Sequence, residues 1–331
     1  MELGSKVPKV DLSVQVGKLT LRTPIILASG CCGYGFELLR VNDFPWEDVG
    51  ALVLKSITVK PRVGKPPPRV AEVTAGMLNA IGVQNEGIGA FMERIAPRLA
   101  ELPCAVIASI IGTTKEEYAV LANALNGCSG IAAIEVNISS PNIERGGIEF
   151  GVDPKAAGEV TELVRRNWNG DVWVKLSPNA HDIALIAQSC SDAGADILVL
   201  TNTVPAMGLD VRSFPPKPLL GAVVGGLSGP AIKPIVLRKV YEAVRRLRQI
   251  GAKAQVVASG GIWRAQDIVE YLSVGATAVQ VGTLLLHDVH APRKLRTGLE
   301  EYALWVHKLM NDEKWLRISS YIGCALGACE P

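Results

Sequence analysis

Eight short apolar runs, at residues 24–29, 51–57, 104–110, 131–137, 172–177, 196–201, 255–259 and 278–281, recur along this 331-residue chain. Each is continuous in apolar or β-branched residues rather than alternating, as expected of strands covered on both faces. Between them, segments 88–101, 115–125, 154–167, 182–193, 230–250 and 265–274 carry helical spacing. Asp153-Pro154 supplies a cap and a first-turn proline to one of these. Gly194, Gly251 and Gly275 follow three others, where a left-handed residue closes a helix. Strands alternating with helices favour a parallel sheet, and eight of them favour an α/β fold of the (β/α)8 TIM-barrel type, spanning 1–331 as a single domain. An open doubly wound sheet is the structural alternative. Residues 10–22, with Gly17 between two apolar segments, read as a small N-terminal β-hairpin on the barrel floor. Two long insertions, 58–87 and 202–228, belong to the carboxyl face, where barrel loops carry function.

Composition narrows the function classes. The chain is 48% hydrophobic and 20% charged, which supplies a large core and argues against disorder. Net charge is +2 with no basic block, so neither nucleic acid nor a membrane surface is an expected partner. The apolar runs fall well short of the ~18 residues of a spanning helix. The first residues lack the apolar core of a secretory signal, so a cytoplasmic location is expected. Seven scattered cysteines without CxxC spacing support neither a zinc nor an iron–sulfur site, and no metal ligands are expected. Cys324 and Cys329 either pair or stay reduced. His181, His287, His290 and His307 lack metal-ligand spacing and read as solvated or capping residues.

The chemistry gathers where the apolar runs end. Residues 132–142 read Ala-Ala-Ile-Glu-Val-Asn-Ile-Ser-Ser-Pro-Asn, a buried strand breaking into a polar cluster. Asn137, Ser140 and Asn142 present amides and a hydroxyl suited to one small planar ligand. Lys55-Ser56 closes the second run, Ser109 lies near the end of the third, Lys175 sits in the fifth, and Thr201-Asn202-Thr203 follow the sixth. Two lysines at strand ends suggest an anionic ligand. Gly225-Gly226-Leu227-Ser228-Gly229, Gly260-Gly261 and Gly282-Thr283 come late. The last two stand after strands seven and eight, where barrels bind phosphate on backbone N–H groups. There is no Walker A sequence, and Gly30-Cys31-Cys32-Gly33-Tyr34-Gly35 does not match GxGxxG.

Longer motifs add a family resemblance. Lys65-Pro66-Pro67-Pro68-Arg69-Val70-Ala71-Glu72, Gly76-Met77-Leu78-Asn79-Ala80-Ile81-Gly82-Val83-Gln84-Asn85, and the stretches 136–142, 174–179 and 225–234 resemble class 1 dihydroorotate dehydrogenases, most closely the type B branch. The resemblance implies a flavin mononucleotide (FMN) enzyme that oxidises dihydroorotate to orotate in pyrimidine biosynthesis. It implies substrate contacts at Lys55, Asn79, Ile81, Gly82, Val83, Asn137, Asn142, Asn202 and Thr203. Flavin contacts would come from Ser29, Gly30, Lys55, Ser56, Ser109, Asn137, Lys175 and Thr201, and phosphate contacts from Gly226, Gly260, Gly261, Gly282 and Thr283. It further implies a homodimer, joined by an iron–sulfur/FAD electron-transfer subunit in a heterotetramer. Two positions depart from the family. Ser109 replaces an asparagine usual in type B enzymes. Ser140 stands where class 1 enzymes carry their catalytic cysteine and is expected to act as the base, as in class 2. Two other functions fit the same residues: an FMN dehydrogenase for another dihydropyrimidine, or a flavin electron-transfer subunit without catalysis.

Overall fold

The computed structural model describes residues 8–139 and 147–329. In chain order the strands are β1 (Val14–Val16), β2 (Leu19–Leu21), β3 (Ile25–Leu27), β4 (Ala51–Val53), β5 (Val70–Val73), β6 (Gly76–Asn79), β7 (Ala105–Ile110), β8 (Ala133–Asn137), β9 (Asp171–Leu176), β10 (Ile197–Leu200), β11 (Val204–Met207), β12 (Leu209–Asp210), β13 (Lys217–Pro218), β14 (Val224–Ser228), β15 (Gln255–Ser259) and β16 (Ala278–Val281). The α-helices are α1 (Gly87–Ala90), α2 (Lys115–Leu125), α3 (Gly147–Val152), α4 (Pro154–Asn167), α5 (Ile183–Asp192), α6 (Lys233–Gln249), α7 (Ala265–Ser273), α8 (Thr283–His287) and α9 (Ala291–Met310).

Strands β3, β4, β7, β8, β9, β10, β15 and β16 close into a parallel barrel. The fold is therefore a (β/α)8 barrel, and the open-sheet alternative falls. Every residue of β3, β8, β9, β10 and β16 is buried, because side chains on one face fill the barrel and those on the other meet the helices. Burial of each large aliphatic side chain contributes about 1.5–3 kcal/mol, which explains why the runs show no polar alternation. Helix starts follow the expected chemistry. Asp153 caps α4 by accepting from the N–H of Ala156 at 2.6 Å, and Asp182 caps α5 through Leu185 at 2.9 Å.

The β1–β2 hairpin is pinned under the barrel. The N–H of Gly17 donates to Gln255 Oε1 at 2.7 Å, and that of Lys18 to Asp171 Oδ2 at 2.6 Å. Gln255 and Asp171 are the first residues of β15 and β9, so these bonds tie the hairpin to the amino ends of two strands.

Three expectations are corrected. Segment 88–101 is not one regular helix. It passes from α1 through a π-helical turn, Phe91–Ile95, into a 3-10 helix, Ala96–Glu101. Pro97 has no N–H to donate to the preceding turn, so the regular ladder cannot continue through it. The two insertions are not separate loops. They fold together as a four-stranded antiparallel sheet in the order β11-β14-β6-β5. Finally, the second run is a regular strand only over Ala51–Val53; the ladder breaks at Lys55 and Ser56 and touches β7 again through a bridge between Ile57 and Ile110. All seven cysteines are free thiols. No described helix is long and apolar enough to cross a membrane.

Candidate active site

The carboxyl ends of the barrel strands and the β11-β14-β6-β5 sheet enclose a cavity of about 390 Å³, within the ~300–1,000 Å³ range of small-ligand sites. The structure brings sixteen of the expected residues to its walls: Ser29, Gly30, Lys55, Ser56, Asn79, Ile81, Val83, Asn137, Lys175, Thr201, Asn202, Thr203, Gly260, Gly261, Gly282 and Thr283. Ser140 and Asn142 lie outside the described residues.

Three expected residues do not line the cavity. Ser109 is fully buried behind Ser56, their hydroxyl oxygens 2.8 Å apart. Gly82 sits at φ +74° in the turn between Ile81 and Val83, and a Cβ there would lie 2.6 Å from the Lys65 nitrogen. Gly226 lies within β14, where its carbonyl accepts from Asn79 Nδ2 at 3.2 Å and a Cβ would run into the Thr203 side chain. Gly226 thus serves the cavity by letting Asn79 and Thr203 pack closely, and Ser228 and Gly229 of the same glycine cluster form the wall instead.

The cavity floor is a buried charge network. Lys175 Nζ donates to Gln280 Oε1 at 2.9 Å, and Gln280 Nε2 donates to Glu135 Oε2 at 2.5 Å. Glu135 Oε1 lies 3.8 Å from Lys175 Nζ and makes no hydrogen bond. Glu135 is fully buried, whereas Lys175 and Gln280 touch the cavity. Sequence reading missed Glu135 and Gln280. The signal for Glu135 was its two-residue offset from Asn137, which puts both on one face of β8.

A second network forms the side wall. Asn202 Nδ2 donates to Ser139 Oγ at 3.0 Å, and that hydroxyl donates to Asn137 Oδ1 at 3.0 Å. The Ser139 N–H also donates to Asn137 Oδ1, at 3.2 Å. Asn137 Nδ2 donates to Ser56 Oγ at 3.4 Å, and Ser56 meets Ser109. Behind this wall Tyr118, on α2, donates its hydroxyl to the Asn137 carbonyl at 2.9 Å. Burial pushes the Tyr118 phenol well above its ordinary range, so it stays a donor.

The opposite end is rich in glycine. Gly261 has φ +71°, and a Cβ there would lie 2.7 Å from the Lys233 nitrogen, so glycine is required. Tyr271 holds the same turn by donating to the Gly260 carbonyl at 2.6 Å. Asp267 accepts from the N–H of Trp263 and of Arg264 at 2.8 and 2.9 Å and pairs with Lys233 at 2.8 Å. Cys31 also lines the cavity, and burial pushes its thiol up to about 11 against the opposing pull of Lys175. A polar wall, a lysine-bearing floor and exposed backbone at a glycine end suit an elongated ligand with a planar polar ring and an anionic tail.

Comparison with known proteins places this architecture. The sequence model of a family described as dihydroorotate dehydrogenase matches residues 11–302. A protein of Citrifermentans bemidjiense named dihydroorotate dehydrogenase B (NAD(+)), catalytic subunit, is 44% identical over 313 residues, 95% of this chain and 97% of that protein. The chain belongs to the dihydroorotate dehydrogenase family. A relative of the same name from Geobacter sulfurreducens is 46% identical over 294 residues, covering 89% of this chain and 93% of its own. The solved structure of an Eimeria tenella dihydroorotate dehydrogenase in complex with ferulenol superposes with a TM-score of 0.77 over 96% of this chain and 89% of that one. At 20% identity that likeness speaks for the dihydroorotate dehydrogenase fold alone.

Proposed function

We propose that this chain is an FMN-dependent oxidoreductase that converts dihydroorotate to orotate in pyrimidine biosynthesis. One observation carries the reading: Lys55, Asn79, Asn137 and Asn202, drawn from four separate segments, line one cavity whose other end is built by Gly260, Gly261, Gly282 and Thr283. In this reading the asparagines and Lys55 orient a ring with carbonyl groups and a carboxylate. The glycine turns and Ser228 would hold the phosphate tail of FMN, and Ser29, Ser56, Lys175 and Thr201 would line the part of the cavity that takes its ring system. When bound, FMN supplies the two-electron acceptor for the hydride that leaves carbon 6 of dihydroorotate.

Ser140 takes the proton from carbon 5. A serine hydroxyl is a much weaker acid than a cysteine thiol, whose ordinary pKa is about 8.5. Proton removal by Ser140 therefore requires onward transfer to water or a neighbouring hydroxyl. With FMN bound, Lys175 would supply a fixed positive charge at the cavity floor beside its ring system. The relatives are named as catalytic subunits, which supports a separate electron-transfer subunit, of iron–sulfur/FAD type, for this chain as well. A homodimer as the core of that assembly and a cytoplasmic location complete the reading.

The test is product identification. FMN-loaded protein with a dye acceptor is given dihydroorotate or dihydrouracil, and the products are separated by chromatography. Orotate from the first and no uracil from the second is the expected result. Uracil without orotate overturns the substrate assignment, and neither product overturns the enzyme reading.

A further inference from the structure

Ser139 takes no part in the reaction as read above, yet it is fully buried, and its hydroxyl ties the end of β8 to the segment that follows β10. It accepts from Asn202 Nδ2 at 3.0 Å and donates to Asn137 Oδ1 at 3.0 Å. A hydroxyl has one proton to donate, so these two bonds fix its direction. The remaining bonds fix both amides. Asn137 Oδ1 is occupied by the N–H and O–H of Ser139, and Asn202 Oδ1 accepts from the N–H of Thr203 at 2.8 Å. Each amide therefore turns its oxygen to the protein. One N–H of Asn137 goes to Ser56 and one of Asn202 goes to Ser139, which leaves a second N–H on each.

We propose that Ser139 is a positioning residue that locks Asn137 and Asn202 as paired amide donors, so that the cavity selects a ring presenting carbonyl or carboxylate oxygens to them. Without the hydroxyl, Asn202 Nδ2 has lost its acceptor and Asn137 Oδ1 one of its two donors. Each amide oxygen then keeps only a backbone N–H, that of Ser139 for Asn137 and that of Thr203 for Asn202, so its donor face is held less firmly toward the ligand. The inference rests on the dihydroorotate reading, because it takes the ring of that substrate to lie against this wall.

The experiment measures orotate affinity by perturbation of the bound flavin spectrum in FMN-loaded wild-type, Ser139→Ala, Ser139→Thr, Asn202→Ala and Ser139→Ala/Asn202→Ala proteins. FMN affinity and thermal unfolding are measured alongside. Losing one or two hydrogen bonds to a substrate-facing amide is expected to weaken orotate binding by roughly tenfold or more in Ser139→Ala. FMN affinity should change less than twofold, and Ser139→Thr, which keeps the hydroxyl, should recover most of the loss. Ser139→Ala should cost less orotate affinity in the Asn202→Ala background than in the wild type, because part of its effect runs through Asn202. Additive losses, or equal losses of FMN and orotate affinity, overturn the inference in favour of a purely structural serine. Unchanged orotate affinity in Ser139→Ala also overturns it. Failure of the wild type to bind orotate would instead sink the substrate reading, so the two failures are distinguishable.

Discussion

Replacing Glu135 by Gln removes the formal negative charge that faces Lys175 at the cavity floor and keeps the side-chain shape. The two side chains are 0% and 7% exposed, with 3.8 Å between Glu135 Oε1 and Lys175 Nζ. At that separation, an effective dielectric of about 20 gives an attraction of about 4 kcal/mol. Breaking a buried pair from one side costs about 3–5 kcal/mol, since the remaining charge is left uncompensated. A folded domain has about 5–15 kcal/mol in total. Glu135→Gln is therefore expected to lower the melting temperature of the FMN-free protein by about 6–10 °C, taking about 2 °C per kcal/mol for a large domain. Glu135→Leu/Lys175→Met/Gln280→Leu removes the whole polar network together and should melt close to wild type, because apolar replacement of a buried ion-pair network is near neutral, whereas leaving Gln280 in place would strand a buried amide. That triple variant should still fail to turn over dihydroorotate, as it lacks the lysine at the cavity floor. Differential scanning calorimetry of the three proteins reads the stabilities, and an orotate assay reads the function. A Glu135→Gln protein that melts within about 1 °C of wild type would refute the reasoning.

Three further outcomes follow from the same geometry. Gly226→Ala drives a methyl group into Thr203 between two paired strands, and overpacking of this kind costs about 1–3 kcal/mol; urea unfolding should show that loss, together with weaker orotate binding. Asp48 is 1% exposed, and burial raises its carboxyl above the ordinary 3.8, with Arg296 and Arg293 opposing the rise. The folded state therefore holds this proton more tightly than the unfolded one, and stability falls as pH rises from about 3.8 through the raised value; Asp48→Asn should melt above wild type at neutral pH, with the gap closing in acid. At neutral pH Cys31, pushed up to about 11, should resist alkylation, whereas the exposed Cys324 and Cys329 should react, as peptide mass spectrometry would show.

The barrel was legible because its signal is local. Runs 255–259 and 278–281 coincide with β15 and β16, and segments 115–125 and 154–167 with α2 and α4, since burial and capping act on neighbouring residues. The sheet over the cavity was not legible, because β14 pairs with β6 across about 150 residues and its Val224-Gly225-Gly226 start reads as a turn. The site divides in the same way. Strand ends expose Lys55, Asn137 and Lys175 to sequence reasoning, whereas Glu135 and Gln280 sit inside apolar runs, and their link to Lys175 shows only when β8, β9 and β16 face one another across the barrel. Ser139 was visible as a polar neighbour, but its partner Asn202 lies 63 residues away.

Anaerobic titration of the FMN-loaded protein with dihydroorotate tests the central claim most directly. Loss of the visible flavin absorbance, with one orotate formed per flavin reduced, is the result this account predicts. A flavin that stays oxidised with dihydroorotate in excess, while an artificial reductant bleaches it fully, would contradict the account.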